Sequence, residues 1–584
     1  ITALQKNKQK KHNNNLLKHN LLNNRKKRHK MDRNTENYYT YTDQIERPRS
    51  KWERHKTHKT SFNAGVLVPF YINTDICPGT TIKNSTSIVL RLSTPLVPVM
   101  DNAYLDTYWF RCSKFWYWEH FRAMMGENEL GAWAQTVDYE DPKVTTTSST
   151  QKGDLLDYYG YKPGVAGLKC DKMAINAYID IWNQWFRDQN LQAPIVFDKT
   201  DSNLTYDGTI NTGGGLLPVN KFHDYFTSAL PEPQKGTAIS QPIGTSANVS
   251  IFGTGKTLGL TNGTENGGLT NTADAIVRVS KNNYDVNVST SEGSYTPYVK
   301  GQIGITTDSD KSGLTGIADL TTATAATINA LRLAFATQRI LERDAMYGTR
   351  YREILRGQWG VIASDESLLT PEYLGGKRIP INIEQVLQNS ESATTPLGET
   401  GAMSITTDFN NDFTKSFSKD DILIGLLCVR TDNTYQTGIP RQFTRQGRLD
   451  RYWPELAHIG NQPIYNYEIY AQGTSVVDSD GNIVDNQVFG YKEAWAEYKF
   501  ENSMISGEMR SGNNSLDIWH YATDYTSLPV LADSWIKSDA KNVIDRSIAV
   551  SSENADQFWA DIEVTQTVAA VMPFHCTPGL IDHF

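Results

Sequence analysis

Residues 61–119 constrain this chain more than any other stretch. Three short runs rich in β-branched and aromatic residues lie there, Ala64–Ile72, Thr86–Leu92 and Ala103–Arg111. Turn chemistry closes each one: Cys77-Pro78-Gly79, then Thr94-Pro95 through Pro98, then Asp101-Asn102. Short strands separated by such turns predict an all-β sandwich or barrel rather than alternating βαβ units. Later candidate strands are Asp421–Arg430, Ile464–Ala471, Val488–Lys499 and Ile562–Pro573. The chain has 584 residues, so the sheets must carry long additions.

Two helical patterns interrupt the β sequence, besides a short aromatic one over Phe115–Met125. In Lys172–Gln189, Ile175, Tyr178, Ile179, Trp182, Trp185 and Phe186 recur at three and four residues, an apolar stripe that reads as core. Ala325–Arg356 carries Ile328, Leu331, Phe335, Ile340 and Leu341 on one face, and Gly348 is expected to break it in two. Residues 236–322 are rich in Gly, Thr, Ser and Asn with few large apolar side chains. They read as an exposed insertion of weak β character.

Charge divides the chain. Residues 1–60 hold 17 Lys/Arg against five Asp/Glu, a local +12, and the rest holds 40 against 60, a local −20. A basic arm on an acidic body suits a polyanionic partner. Within it, Arg47, Arg49, Lys51, Arg54, Lys56 and Lys59 bracket Trp52, cations for phosphates beside one ring to stack a base. Residues 31–60 are therefore expected to be a basic arm, disordered or interior-facing, ahead of the sheet domain from 61. Residues 1–30 are a low-complexity leader that is expected not to be translated, with Met31 the first possible start.

Catalytic and metal signatures are weak. Gly253-Thr-Gly-Lys256-Thr257 looks like the end of a phosphate-binding loop, but Ser250 stands where the pattern needs its first Gly, and the flanks are polar. Asp308, Asp310, Ser312 and Asp319 match part of a calcium loop, with an Asp where the longer Glu normally closes it. No histidine falls at an informative spacing from a nucleophile or a second ligand, and the five cysteines form no CxxC pair. The expectation is no enzyme, no cofactor, no bound metal and no membrane-spanning run.

Several blocks resemble the major capsid proteins of the Microviridae, most of all the gokushovirus branch. They include HKTSFNAGVLVPFY (58–71), PVMDNAYLDTYWF (98–110), WEHFRAMMGEN (118–128), KFHDYFTSALPEPQKG (221–236), PEYLGGKRIPIN (371–382), LDIWHYATDY (516–525) and PGLIDHF (578–584). The resemblance implies a single eight-stranded jelly roll with long loop and helical insertions. It implies copies of that subunit assembled as a T=1 icosahedral shell around circular single-stranded DNA, made in a bacterial cytoplasm with other virion and scaffolding proteins. It would turn 45–60 toward the shell interior and make 236–322 the variable insertion of the three-fold protrusions, a surface for a bacterial receptor. A carbohydrate-binding attachment sandwich is the alternative that the aromatics and the polar insertion leave open.

Overall fold

The computed structural model describes residues 49–128, 138–237 and 328–575 apart from 393, 395 and 513–515, and within 238–327 the backbone of six short strands. Eight long strands build the centre: β1 (Ser50–Phe62), β2 (Val68–Ile76), β3 (Thr81–Leu92), β4 (Ala103–Ser113), β5 (Glu372–Pro380), β6 (Thr406–Ser416), β7 (Asp421–Thr431) and β8 (Phe558–Ala570). They form two four-stranded antiparallel sheets. The first has the order β1-β8-β3-β6 and the second β5-β4-β7-β2. Successive strands alternate between the two sheets, except that β4 and β5 are neighbours in the second. That order, with the first strand beside the last, is the eight-stranded jelly roll.

Alternation along β8 shows why the sandwich closes. Phe558, Ala560, Ile562, Val564, Val568 and Ala570 are buried, while Trp559, Asp561 and Glu563 point away. The inward set meets Phe62, Phe70, Ile82, Leu90, Trp109, Leu423 and Leu427 in one core. Strand β7 reads differently, buried from Asp421 through Val429, because both of its faces are covered. Its second face, with Ile422, Ile424, Leu426 and Cys428, packs on Ile175, Tyr178, Ile179 and Trp182 of helix α1 (Lys172–Ile181) and the π turn Trp182–Phe186 that continues it. The stripe of that helix is core through Trp182, as its spacing predicts, whereas Trp185 in the π turn is 36% exposed.

Gly425 marks a close approach of ring side chains across the sandwich. A Cβ there would lie 2.8 Å from Phe70 Cζ and 3.1 Å from Trp109 Cη2, so only hydrogen lets the two rings close over β7.

Two insertions decorate this frame, 114–371 between β4 and β5 and 432–557 between β7 and β8. In the first, helix α2 (Ile328–Tyr347) ends at Gly348, whose φ of +100° breaks it from α3 (Tyr351–Ile354) where a break is expected. The expected aromatic helix 115–125 is two one-turn pieces, Lys114–Tyr117 and Phe121–Met124. Ile464–Ala471 departs from the strand reading too. It starts as the end of strand Asn461–Tyr465 and then turns into helix Asn466–Ile469, where Glu468 accepts the Tyr465 N–H at 3.0 Å.

The sheet begins earlier than expected. Residues 50–60, assigned to a disordered or interior-facing arm, are most of β1 and pair along their length with β8. Charged side chains tolerate a strand when alternate ones face solvent, and thirteen paired residues satisfy the backbone. Residues 1–30, Arg47, Asp308, Asp310, Ser312 and the Lys256 position lie outside the described residues. Gly253 and Asp319 each end a short strand of the 238–327 segment.

Candidate nucleic-acid interface

Pleating divides the predicted basic cluster between two faces of β1. Lys51, Glu53, His55, Thr57 and Lys59 are exposed on the outer surface of the first sheet. Trp52, Arg54 and His58 turn the other way. Trp52 packs against the main core, and the His58 ring meets the Phe70 carbonyl at 2.8 Å. Trp52 is therefore not a free stacking platform. Arg54 Nε donates to Gln566 Oε1 at 2.7 Å, and Gln566 Nε2 donates to Asn84 Oδ1 at 2.8 Å. Asn84 Nδ2 donates in turn to Asp412 Oδ2 at 2.7 Å. Arg54 thus heads a polar chain running under the sheet. Burial pushes the Asp412 carboxyl up, against the hydrogen bonds from Thr86, Asn410 and Asn84.

Lys56 lies over the Tyr71 ring at 5.0 Å, and partial burial, helped by neighbouring Arg54, pulls its ammonium down. Arg49 is held by the Gly79 carbonyl. Of the predicted residues, the structure brings Lys51 and Lys59 onto one open surface and gives Arg49, Trp52, Arg54 and Lys56 partners within the subunit.

That open surface has residues the sequence reading missed. Antiparallel register puts Trp559 of β8 beside Arg91 of β3, and Lys83 beside Thr567. Trp559 is 49% exposed, and Phe409 of β6, opposite Ser87, is 63% exposed. Between them run Ser85, Ser87, Thr565 and Thr567. Carboxylates share the surface: Asp561 pairs with Lys59 at 3.5 Å, and Glu563 lies 3.8 Å from His55. The face is a broad polar sheet with two ring platforms and four cations, partly neutralised. Strand alternation in 558–570 could have placed Trp559 outside, but its pairing with Arg91 lies beyond sequence reach, some 468 positions apart.

Among the described residues, no group of three or more His, Cys, Asp or Glu could hold a metal ion, and no helix is long and apolar enough to cross a membrane. Cys77, Cys112, Cys170 and Cys428 are free thiols. Burial pushes the Cys428 thiol up to about 12, which leaves it an inert packing group.

A jelly roll with large inserted loops is the architecture of many virus shell proteins, among other classes. Comparison gives the family: residues 42–580 match the model of the capsid protein (F protein) family, and the chain belongs to it. It is 36% identical to capsid protein VP1 of Bdellovibrio phage phiMH2K, across 94% of this chain and 99% of that one. It is 34% identical to capsid protein VP1 of Spiroplasma virus 4, across 91% and 95%. Against capsid protein VP1 of Chlamydia phage 1 the identity is 32%, across 91% and 96%. The chain is thus a structural capsid protein of the microvirus type, a component of a virion and not an enzyme.

Proposed function

We propose that this subunit builds a T=1 icosahedral shell around a circular single-stranded DNA genome, made in a bacterial cytoplasm with help from other virion and scaffolding proteins. The observation that supports this best is the family match running through all eight strands and both insertions. A closed shell needs several distinct self-contact patches on one chain, and the two insertions supply surface for them.

In this reading the outer face of the first sheet turns toward the genome. Lys51, Lys59, Lys83 and Arg91 meet phosphates, and Trp559 stacks a base. The basic sequence before residue 49 adds charge on the same side, and Arg47 belongs to it. Residues 236–322 form the outward protrusions at the three-fold axes, where a bacterial surface receptor is met.

Electron microscopy of the expressed protein, with sedimentation, with and without circular single-stranded DNA, tests the proposal. Uniform small icosahedral particles support it. Monomers under every condition, even with the scaffolding proteins supplied, would overturn it.

A further inference from the structure

Helix α2 touches the body along a narrow side. Of its 20 residues only Ala345 is buried. Large apolar side chains stand in water elsewhere on it, with Leu333 68%, Phe335 66% and Ile340 51% exposed. Helices owe most of their stability to the packing of an apolar face, so a helix this open points to a further neighbour. Arg332, Arg339 and Arg343 run down the middle of the open side. At about 100° per residue they fall within about 40° of one another, with Phe335 on one flank and Leu333 and Ile340 on the other. All three arginines are exposed, and none forms an ion pair among the described residues. The helix's own carboxylates lie to the sides and are engaged: Glu342 accepts from Gln338 Nε2 at 3.0 Å and Asp344 from Gln358 Nε2 at 2.9 Å.

A second element is open in the same way. Strands Ile383–Leu387 and Thr400–Ser404 pair with each other and belong to neither main sheet. A two-stranded hairpin by itself is marginal in water. Its register sets Glu384 opposite Met403 and Val386 opposite Gly401, and the ladder continues as Gln388 donates its N–H to the Glu399 carbonyl at 2.9 Å. Opposed and alternate residues share a face, so Glu384, Val386, Met403 and Glu399 stand together on one side. Val386 and Met403 are 45% and 48% exposed. Residues 383–404 hold three Glu and no Lys or Arg, and none of the three Glu forms an ion pair among the described residues.

The two surfaces complement each other in charge, apolar content and length. Glu384 and Glu399 are set apart by four strand positions, about 13 Å. Arg332 and Arg339 are set apart by seven helical positions, about 10 Å, a difference that long side chains absorb. Within one subunit these arginines do not meet these glutamates. Two copies of α2 cannot pair along this face, because arginine would oppose arginine. Phosphates would meet the arginines but leave Leu333, Phe335 and Ile340 in water. The other cation-free stretch, 471–491, turns its carboxylates inward: Asp478 accepts the Asn482 N–H and Asp485 the Gly473 N–H, both at 2.8 Å.

We propose that α2 of one subunit packs on the 383–404 hairpin of a neighbouring copy, arginines against glutamates and the apolar flanks against Val386 and Met403. The contact joins two different patches, the kind that closes copies into a ring around an axis. It rests on the shell reading only in requiring a second copy of the chain.

Sedimentation of the full chain over a concentration series, with electron microscopy of what forms, tests it. Arg332→Glu with Arg339→Glu, and separately Glu384→Arg with Glu399→Arg, should each raise the concentration needed for association about tenfold or more. All four changes in one chain should restore it, and that recovery excludes misfolding as the cause. Particles that form as readily in both pair variants as in wild type overturn this contact and leave the shell reading standing. A four-change variant no better than either pair overturns the pairing of these two surfaces. Loss of single-stranded DNA binding with unchanged association in the arginine variant assigns those arginines to nucleic acid and also overturns it. A wild-type chain that stays monomeric even with the scaffolding proteins supplied overturns both readings.

Discussion

Arg111 holds three strands in register, and removing it should cost more than any surface ion pair. It is 4% exposed on β4 and donates to Asp421 at 2.7 Å, to Glu372 at 3.0 Å and to Glu366 at 3.3 Å. The three carboxylates are not equivalent once Arg111 is gone. Glu372 keeps Lys415 at 2.5 Å, and Glu366 keeps Lys419 at 3.5 Å. Asp421 is fully buried and has no second cation among the described ion pairs. Burial already pushes its carboxyl up despite Arg111. Arg111→Met strands that one charge and should destabilise the subunit by about 3–5 kcal/mol at pH 7. Arg111→Met with Asp421→Asn removes the stranded charge and should recover most of the loss. In the single variant Asp421 titrates at raised pH, so its folded form regains stability as pH falls and the gap to wild type narrows. Urea unfolding of the unassembled subunit, followed by tryptophan fluorescence at pH 5 and 7, reads all of this. A single variant within about 1 kcal/mol of wild type, or a double variant no better than the single, would refute the reasoning.

Three further outcomes are expected. Trp559→Ala should weaken single-stranded DNA binding by roughly 1–3 kcal/mol while leaving the melting temperature unchanged, whereas Trp52→Ala should lower the melting temperature instead; filter binding and thermal melts separate the two. Gly425→Ala should destabilise by about 1–3 kcal/mol through the Phe70 and Trp109 contacts, measured by urea midpoint. Burial, against hydrogen bonds from Tyr117 and Gln184, pushes the Asp180 carboxyl up to about 6 from an ordinary value of 3.8. Its folded form therefore holds a proton that the unfolded chain releases, a contribution to stability present below about pH 4 and lost by about pH 6. About two pH units correspond to roughly 3 kcal/mol, so the stability difference between wild type and Asp180→Asn should change by up to that amount from pH 4 to 7; parallel curves would sink the assignment.

The sandwich was legible where pattern and burial agree. Strands β2, β3, β4, β7 and β8 carry β-branched and aromatic residues closed by turns, and α1 carries its stripe. Strand β1 was hidden by its charge: SKWERHKTHKT looks like a solvated arm until β8 supplies the pairing that makes alternate side chains differ. Strand β5 was hidden by Gly375 and Gly376, which a single sequence reads as a turn; here they let β5 pass the backbones of Asp412 and Thr107, where a Cβ would approach to 2.4 and 2.0 Å. The outer surface of the first sheet was half legible for the same reason. Composition found the cations of β1, but only the sheet shows which of them face out and that Trp559, not Trp52, is the ring beside them.

The placement of β8 has a consequence for how the subunit is made. Between β1 and β3 lies a slot that only residues 558–570 fill, and β1 is about 500 positions upstream of its partner. While the ribosome works through the insertions, β1 and β3 wait with open edges and half a core. The sandwich cannot seal until the last strand has emerged, which makes folding slow and couples it to completed translation. A subunit interrupted before residue 558 has no closed first sheet to offer a growing shell.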